Sequence, residues 1–229
     1  MAEERIHAPL MIVKGDGSLM RADIALEYPV ETVLSGPAAS VVGAGFLTGL
    51  NHFAVSDMGG TTTDVAIVEH GRPRVSADGA LIGGWRTMVE AVDVRTMGLG
   101  GDSEVDFDRD LKLRVGPRKV TSLSLLATQF PQVLQDLRAL SVQDRLPEYP
   151  TLYAYRNPGS QLPPHADGLE RRTWEALTDE PKRVSHFCRN QTSLAALRRL
   201  ADSRLATIAG FTPSDAMHVL GVQIGRAHV

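Results

Sequence analysis

Asp57-Met58-Gly59-Gly60-Thr61-Thr62-Thr63-Asp64 sets a carboxylate, two adjacent glycines and three hydroxyls at a point where an apolar strand turns back on itself. The segment ahead of it, His52-Phe53-Ala54-Val55-Ser56, reads as a short buried strand, and Val65-Ala66-Ile67-Val68 reads as its partner. The octet is then the loop and strand mouth of a hairpin. Gly59 and Gly60 lack a Cβ, so backbone N–H groups there can approach an anion closely. Thr61, Thr62 and Thr63 add hydroxyl donors, and Asp57 can hold a magnesium ion or its water shell. This is the composition of a phosphate cradle. An ordinary hairpin uses the same residue types, with β-branched residues in its strands and Asp57 and Asp64 capping turns. The complete octet between two apolar strands favours the cradle.

The flanks punctuate clearly. Residues 9–34 read as a strand, a turn at Gly15-Asp16-Gly17, and a short helical or irregular link ending before Pro29. Residues 36–50 suit a helix of small residues packed on a sheet, with Ser35 as N-cap and Pro37 in the first turn. Gly71-Arg72-Pro73 closes the hairpin region, and Gly83-Gly84-Trp85-Arg86 follows. Trp85 and Arg86 could stack on and pair with a ligand, or Trp85 could plug a loop.

From Val105 to Val120 charged and apolar residues alternate, so Asp106, Asp108, Arg109, Asp110, Lys112 and Arg114 face outward from a hairpin; a metal cluster is the less economical reading. Residues 122–140 give leucine spacing for a helix interrupted by Pro131. Pro147, Pro150, Pro158, Pro163 and Pro164 mark residues 147–168 as a linker or surface excursion. Residues 171–209 read as helix, helix and strand, with Leu194, Leu197 and Leu200 on one helical face. Arg198, Arg199 and Arg204 in that setting suggest a winged-helix DNA reader, but three arginines on a helix are more often a solvated face and the acidic chain gives DNA no support. Thr212-Pro213-Ser214-Asp215 opens a last helix: Thr212 caps, Pro213 fits the first position, and Asp215 complements the dipole.

Composition bounds the function. The chain has 229 residues, 43% apolar and 22% charged, with net charge −3, enough to bury a core and without a bulk drive toward nucleic acid or anionic membrane. Its one cysteine, Cys188, excludes an intrachain disulfide and suits a reducing cytosol. The 7 histidines form no HExxH pattern, and no CxxC pair exists, which argues against a zinc enzyme. Residues 38–50, the longest apolar run, are too short and too glycine-rich to span a bilayer.

The run from Ser35-Gly36-Pro37-Ala38-Ala39-Ser40 through the octet resembles the hydantoinase A and 5-oxoprolinase family, part of the actin-like ATPase superfamily. The resemblance takes in Lys14-Gly15-Asp16-Gly17-Ser18-Leu19-Met20 and Asp93-Val94-Arg95-Thr96-Met97-Gly98-Leu99-Gly100-Gly101-Asp102-Ser103, and returns weakly at Gly210-Phe211-Thr212-Pro213-Ser214-Asp215. It implies an α/β fold: an actin-like (ribonuclease H-like) ATPase domain with a mixed sheet over residues 1–120, here its second half. After it come a helix and Pro-rich excursion at 121–170 and a small helical, winged-helix-like unit at 171–223. It also implies ATP and Mg²⁺ as cofactors. By position the octet matches the second phosphate loop: Asp57 would position metal or water, and Gly59, Gly60, Thr61, Thr62 and Thr63 would contact phosphate. Gly98, Gly100, Gly101 and Ser103 match the adenosine loop. The family pattern there is closer to Asp-Val-His-Thr-x-Gly-Ala-Gly-Gly-Gly-Ser. Arg95, Leu99 and Asp102 depart from it, which puts any histidine-dependent role in doubt.

No Asp-x-Gly-Gly-Thr run occurs in residues 1–50 to serve as the first phosphate loop, and full-length relatives are several times longer, so the chain reads as an internal fragment, inactive by itself. Its last six residues, Ile224-Gly225-Arg226-Ala227-His228-Val229, read as translated sequencing adapter and are set aside from the fold. The activity implied for the whole protein is ATP-dependent opening of a cyclic amide such as a hydantoin or 5-oxoproline: phosphate transfer to the amide oxygen makes a leaving group for hydrolysis. The implied partners are the cyclic amide and a hydantoinase B-type subunit or domain, with neither nucleic acid nor membrane, in the cytoplasm. A ketone carboxylase subunit, a sugar-type kinase and a non-enzymatic nucleotide-binding or regulatory module are the rival readings.

Overall fold

The structure, a computed structural model, describes residues 8–82, 84–107 and 112–221. Gly83, Asp108, Arg109, Asp110 and residues 224–229, named above, lie outside the described residues. Among those described the protein is α/β, with seven α-helices and a mixed sheet, and it divides into two compact units, Met1–Met97 and Gly98–Val229.

The first unit holds β1 (Met11–Val13), β2 (Leu19–Arg21), α1 (Ala22–Glu27), α2 (Ser35–Thr48), β3 (Phe53–Met58), β4 (Thr63–Glu69), β5 (Arg72–Pro73), β6 (Val75–Ser76), β7 (Leu81–Ile82), β8 (Trp85–Arg86), β9 (Ala91–Val92) and β10 (Val94–Met97). Its main sheet runs β10-β4-β3, all antiparallel, with β5 hooked to β4. Alternation along β3 and β4 sends Phe53, Val55, Ala66 and Val68 to one face, where Ala38 and Val41 of α2 close a core with Val92 and Val94. Ser35 is not the N-cap of α2 as expected: Leu34 holds that place in a left-handed conformation (φ 59°), Ser35 is already helical, and no side chain caps the helix. Pro37 does lie in the first turn. The helix ends at Gly49, whose φ of 66° is the usual left-handed stop. Trp85 is exposed rather than a plug.

The second unit holds β11 (Ser103–Phe107), β12 (Leu113–Lys119), β13 (Thr121–Ser122), α3 (Leu123–Gln129), α4 (Pro131–Ser141), β14 (Tyr153–Arg156), α5 (Gly168–Ala176), β15 (Lys182–Arg183), α6 (Gln191–Asp202), β16 (Ala206–Gly210) and α7 (Pro213–Val219). Hairpin β11-β12 stands beside a four-stranded sheet of order β13-β16-β14-β15, in which β16 is parallel to β13 and antiparallel to β14. Helices cover both faces. Leu152, Ala154, Ala206 and Ile208 point to a core shared with Leu177, Leu194, Leu197 and Leu200, whereas Tyr153 and Ala209 point to one shared with Leu123, Leu126 and Val133.

Residues 147–168, expected as a linker or surface excursion, are in part sheet, while residues 157–167 lie outside helix and strand. Tyr153-Ala154-Tyr155-Arg156 supplies an inner strand, and the surrounding prolines only bound it. Helices α5 and α6 form one layer on this sheet, not a separate helical unit. Pro131 does split the 122–140 helix, standing at the first position of α4. Arg198 pairs with Glu104 at 2.7 Å, and Arg199 with Asp167 and Glu170 at 2.9 and 2.6 Å. Carboxylates thus pair with two of the three arginines that suggested DNA.

Candidate functional site

Hairpin β3-β4 carries the octet at its tip. Met58 pairs with Thr63 and Asp57 with Asp64, so residues 59–62 form the connection, closed by Gly59 N–H donating to the Thr62 carbonyl at 2.9 Å. The N–H groups of Gly60, Thr61 and Thr62 have no protein partner among the described residues. Three donors thus cluster within one short loop, with Gly59 and Thr61 exposed and Thr63 buried at its base.

Register places a polar row behind the tip. β10 lies on the other side of β4 with Thr96 opposite Asp64, and Thr96 Oγ1 donates to Asp64 Oδ1 at 2.6 Å. Asp57, Asp64 and Thr96 therefore share one sheet face, continuing beyond the apolar row Val55, Ala66 and Val94. Asp57 and Asp64 are directly opposed carboxylates, an arrangement that costs energy unless a cation or donor sits between them. Oxygen donors of this kind suit a hard cation such as Mg²⁺, which binds through one or two carboxylates and fills its remaining positions with water and phosphate. Among the described residues no group of three or more His, Cys, Asp or Glu gathers as a metal site.

The other predicted segment, residues 98–103, belongs to the second unit. It joins β10 to β11 as a tight loop: Ser103 N–H donates to the Gly100 carbonyl at 3.0 Å, and Gly100 N–H donates to Ser103 Oγ at 2.9 Å. Ser103 is 1% exposed, so its hydroxyl shapes the loop from inside. The backbone at Gly98 lies so close to Pro117 that a Cβ there would come within 2.9 Å of the ring. Gly116, at φ 66°, likewise leaves room for the Gly98 carbonyl.

Asp102, one of the departures from the family pattern, is buried and pairs with Lys119 at 3.3 Å. Arg95, another of them, stands exposed on β10 opposite Val65. Beside the loop a cleft of about 420 Å³ is lined by Asp102, Lys119, Leu125, Asp202 and Ile208. A neighbouring cleft of about 510 Å³ carries Glu104, Arg118, Arg198 and Asp202, whose charges are paired Glu104–Arg198 and Arg118–Asp202.

The structure gathers Asp57, Gly59, Gly60, Thr61, Thr62 and Thr63 on one hairpin, and Gly98, Gly100, Gly101 and Ser103 in one loop of the other unit. Ser35 lies in the first turn of α2. Sequence reasoning missed the role of Asp64 with Thr96, whose only sequence signal is the alternation of Val94-Arg95-Thr96-Met97 as a third strand.

A sequence model of the hydantoinase/oxoprolinase family matches residues 1–131, more than half of the chain, and the chain belongs to that family. It is 32% identical over 114 residues to the caprolactamase alpha subunit of Pseudomonas jessenii, and 32% identical over 118 residues to the acetophenone carboxylase gamma subunit of Aromatoleum aromaticum. These matches cover 48% and 50% of this chain and 16% of each relative, so the chain spans about one sixth of their length. Among solved structures, acetone carboxylase in its nucleotide-free form, from work on ATP-dependent acetone carboxylation, matches at 24% identity. The overlap is 52% of this chain and 17% of that one, with a TM-score of 0.41.

Proposed function

We propose that this chain carries part of the nucleotide site of an ATP-dependent enzyme that activates the carbonyl of a cyclic amide for ring-opening hydrolysis. The observation that carries the reading is the hairpin tip: three N–H groups at residues 60–62, without a protein partner among the described residues, backed by the opposed carboxylates Asp57 and Asp64. Gly60, Thr61 and Thr62 would hold phosphate oxygens, with the Thr61 and Thr62 hydroxyls as further donors. Asp57 would hold Mg²⁺ or orient its water, and Asp64, fixed by Thr96, would keep a second oxygen beside it. The loop at residues 98–103 would contact adenosine, as the family resemblance implies. ATP would supply the phosphoryl group that makes an amide oxygen able to leave. Preorganised donors would then stabilise the charge that builds up during transfer.

The caprolactamase relative supports a lactam-type substrate. The acetophenone carboxylase relative, equally identical, supports a second reading in which the same activation acts on a ketone. Product analysis separates them: ring-opened acid in one case, bicarbonate-dependent carboxylation in the other. Both relatives are named subunits, which supports a hydantoinase B-type partner. No helix among the described residues is long and apolar enough to cross a membrane, and a cytoplasmic setting with a small-molecule substrate fits the reading.

Titration of the 229-residue chain with Mg·ATP tests the proposal. Saturable binding that Asp57→Ala weakens about tenfold or more is expected, since that change deletes a charge-assisted contact. Binding indifferent to Asp57→Ala would remove the assignment. Turnover by this chain alone should be undetectable, because one side of a clamp cannot align a γ-phosphate. Robust Mg²⁺-dependent hydrolysis would show that it needs no second half.

A further inference from the structure

We propose that Asp215 is the positioning residue of the loop at residues 98–103, setting the backbone on which adenosine recognition depends. The inference rests on the nucleotide reading given above for that loop.

Asp215 is 6% exposed and sits in the first turn of α7. Its carboxylate accepts four hydrogen bonds. Oδ2 takes Thr212 N–H at 3.0 Å, Thr212 Oγ1 at 2.9 Å and Leu123 N–H at 3.0 Å, and Oδ1 takes Ser124 N–H at 2.9 Å. The bonds with Thr212 complete the capping box of α7. Those from Leu123 and Ser124 are a separate function, because they satisfy the first N–H groups of α3. One buried charge therefore pins two helix starts to each other.

Those two starts are also where the loop is gripped. Val120 N–H, just ahead of β13 and α3, donates to the Asp102 carbonyl at 3.0 Å. Ser214 N–H, in the first turn of α7, donates to the Gly101 carbonyl at 2.9 Å, and the Phe211 carbonyl accepts Val105 N–H at 3.0 Å. The loop is thus held from residue 120 on one side and from residues 211 and 214 on the other. Asp215 bonds to the start of α3, three residues beyond Val120, and to Thr212, between the gripping residues 211 and 214. Asparagine at this position would turn an NH₂ toward N–H donors and let the two grips separate.

The test uses the 229-residue chain, with Asp215→Asn, the milder Thr212→Val, which removes one of the four donors, and Asp167→Ala, which uncaps α5 as a control. Amide exchange of Gly100, Ser103 and Val105 should accelerate about tenfold or more in Asp215→Asn relative to α6 amides, as expected for losing bonds to a charged acceptor. It should rise less in Thr212→Val and stay unchanged in Asp167→Ala. The preference for Mg·ATP over Mg·tripolyphosphate should fall about tenfold in Asp215→Asn, because only the adenosine side is disturbed. Should Asp215→Asn fail to fold, Thr212→Val carries the same two measurements.

Equal acceleration of α6 and loop amides would show a general stabilising role and overturn the proposal. So would faster loop exchange with the ATP preference intact. A wild-type chain with no ATP preference would defeat the nucleotide reading instead, and the exchange comparison would still decide whether Asp215 holds the loop.

Discussion

Asp57 and Asp64 stand opposite each other across β3 and β4, and Thr96 satisfies only Asp64. Like charges in directly opposed positions repel, so a strand mouth built this way gives up stability in the absence of a cation. Asp57→Asn should therefore raise the stability of the ligand-free chain by about 0.5 kcal/mol while weakening Mg·ATP binding. Urea unfolding in EDTA, compared with the nucleotide titration, reads both effects. A variant that is less stable and binds as before would mean that Asp57 serves the hairpin rather than a ligand. The opposite signs would mark a residue kept for binding at the expense of folding.

At the scale of elements, β14 is the clearest test of the architecture. Tyr153 is 1% exposed, fills the face toward α3 and α4, and its hydroxyl donates to Asp136 Oδ2 at 2.7 Å. Tyr153→Ala should cost about 3–5 kcal/mol in urea denaturation, as for other large buried aromatics. In a solvated linker the same change would stay within about 0.5 kcal/mol. Local signals do make several elements legible in the sequence. The octet announces its hairpin because Gly59-Gly60 interrupts two apolar runs, and Thr212-Pro213-Ser214-Asp215 announces α7 because a cap and its N3 acceptor are neighbours in the chain. What stays hidden is set by distant partners. Prolines around Tyr153 mask a strand that only β16 reveals, and Leu34 takes the cap position that Ser35 suits by type. The polar row of the candidate site needs the register of β10, and the second function of Asp215 depends on helix α3, far back in the sequence.

Across the whole molecule, the second unit buries three groups that ionise in alkali. Burial pushes the Cys188 thiol from its ordinary 9.0 up to about 11, and burial with hydrogen bonds to Glu148 and Asp136 pushes Tyr149 and Tyr153 from 10.0 up to about 12. All three are neutral when protonated, and the unfolded chain loses these protons at lower pH than the folded one. Their contribution is therefore complete below pH 9 and disappears as pH climbs toward 12. Unfolding free energy should be level from pH 7 to 9 and fall by about 2 kcal/mol or more by pH 11. Cys188→Ser should flatten the first part of that fall, and a curve that does not bend above pH 9 would contradict the assignment. The same burial predicts that Cys188 resists alkylation at pH 8 until the chain unfolds.

β16 also fixes when that unit can come into being. It is an inner strand, bonded to β13 on one side and β14 on the other, yet it is built from Ala206–Gly210, after every other strand of its sheet. On a ribosome, β13 emerges early with no neighbour, and β14 can find only the two-residue β15. Until Gly210 clears the exit tunnel the nascent chain shows open strand edges beside apolar helices, the kind of surface that chaperones hold. Arrival of one five-residue segment then joins both halves of the sheet, so this unit is expected to acquire its fold in a single late step of synthesis.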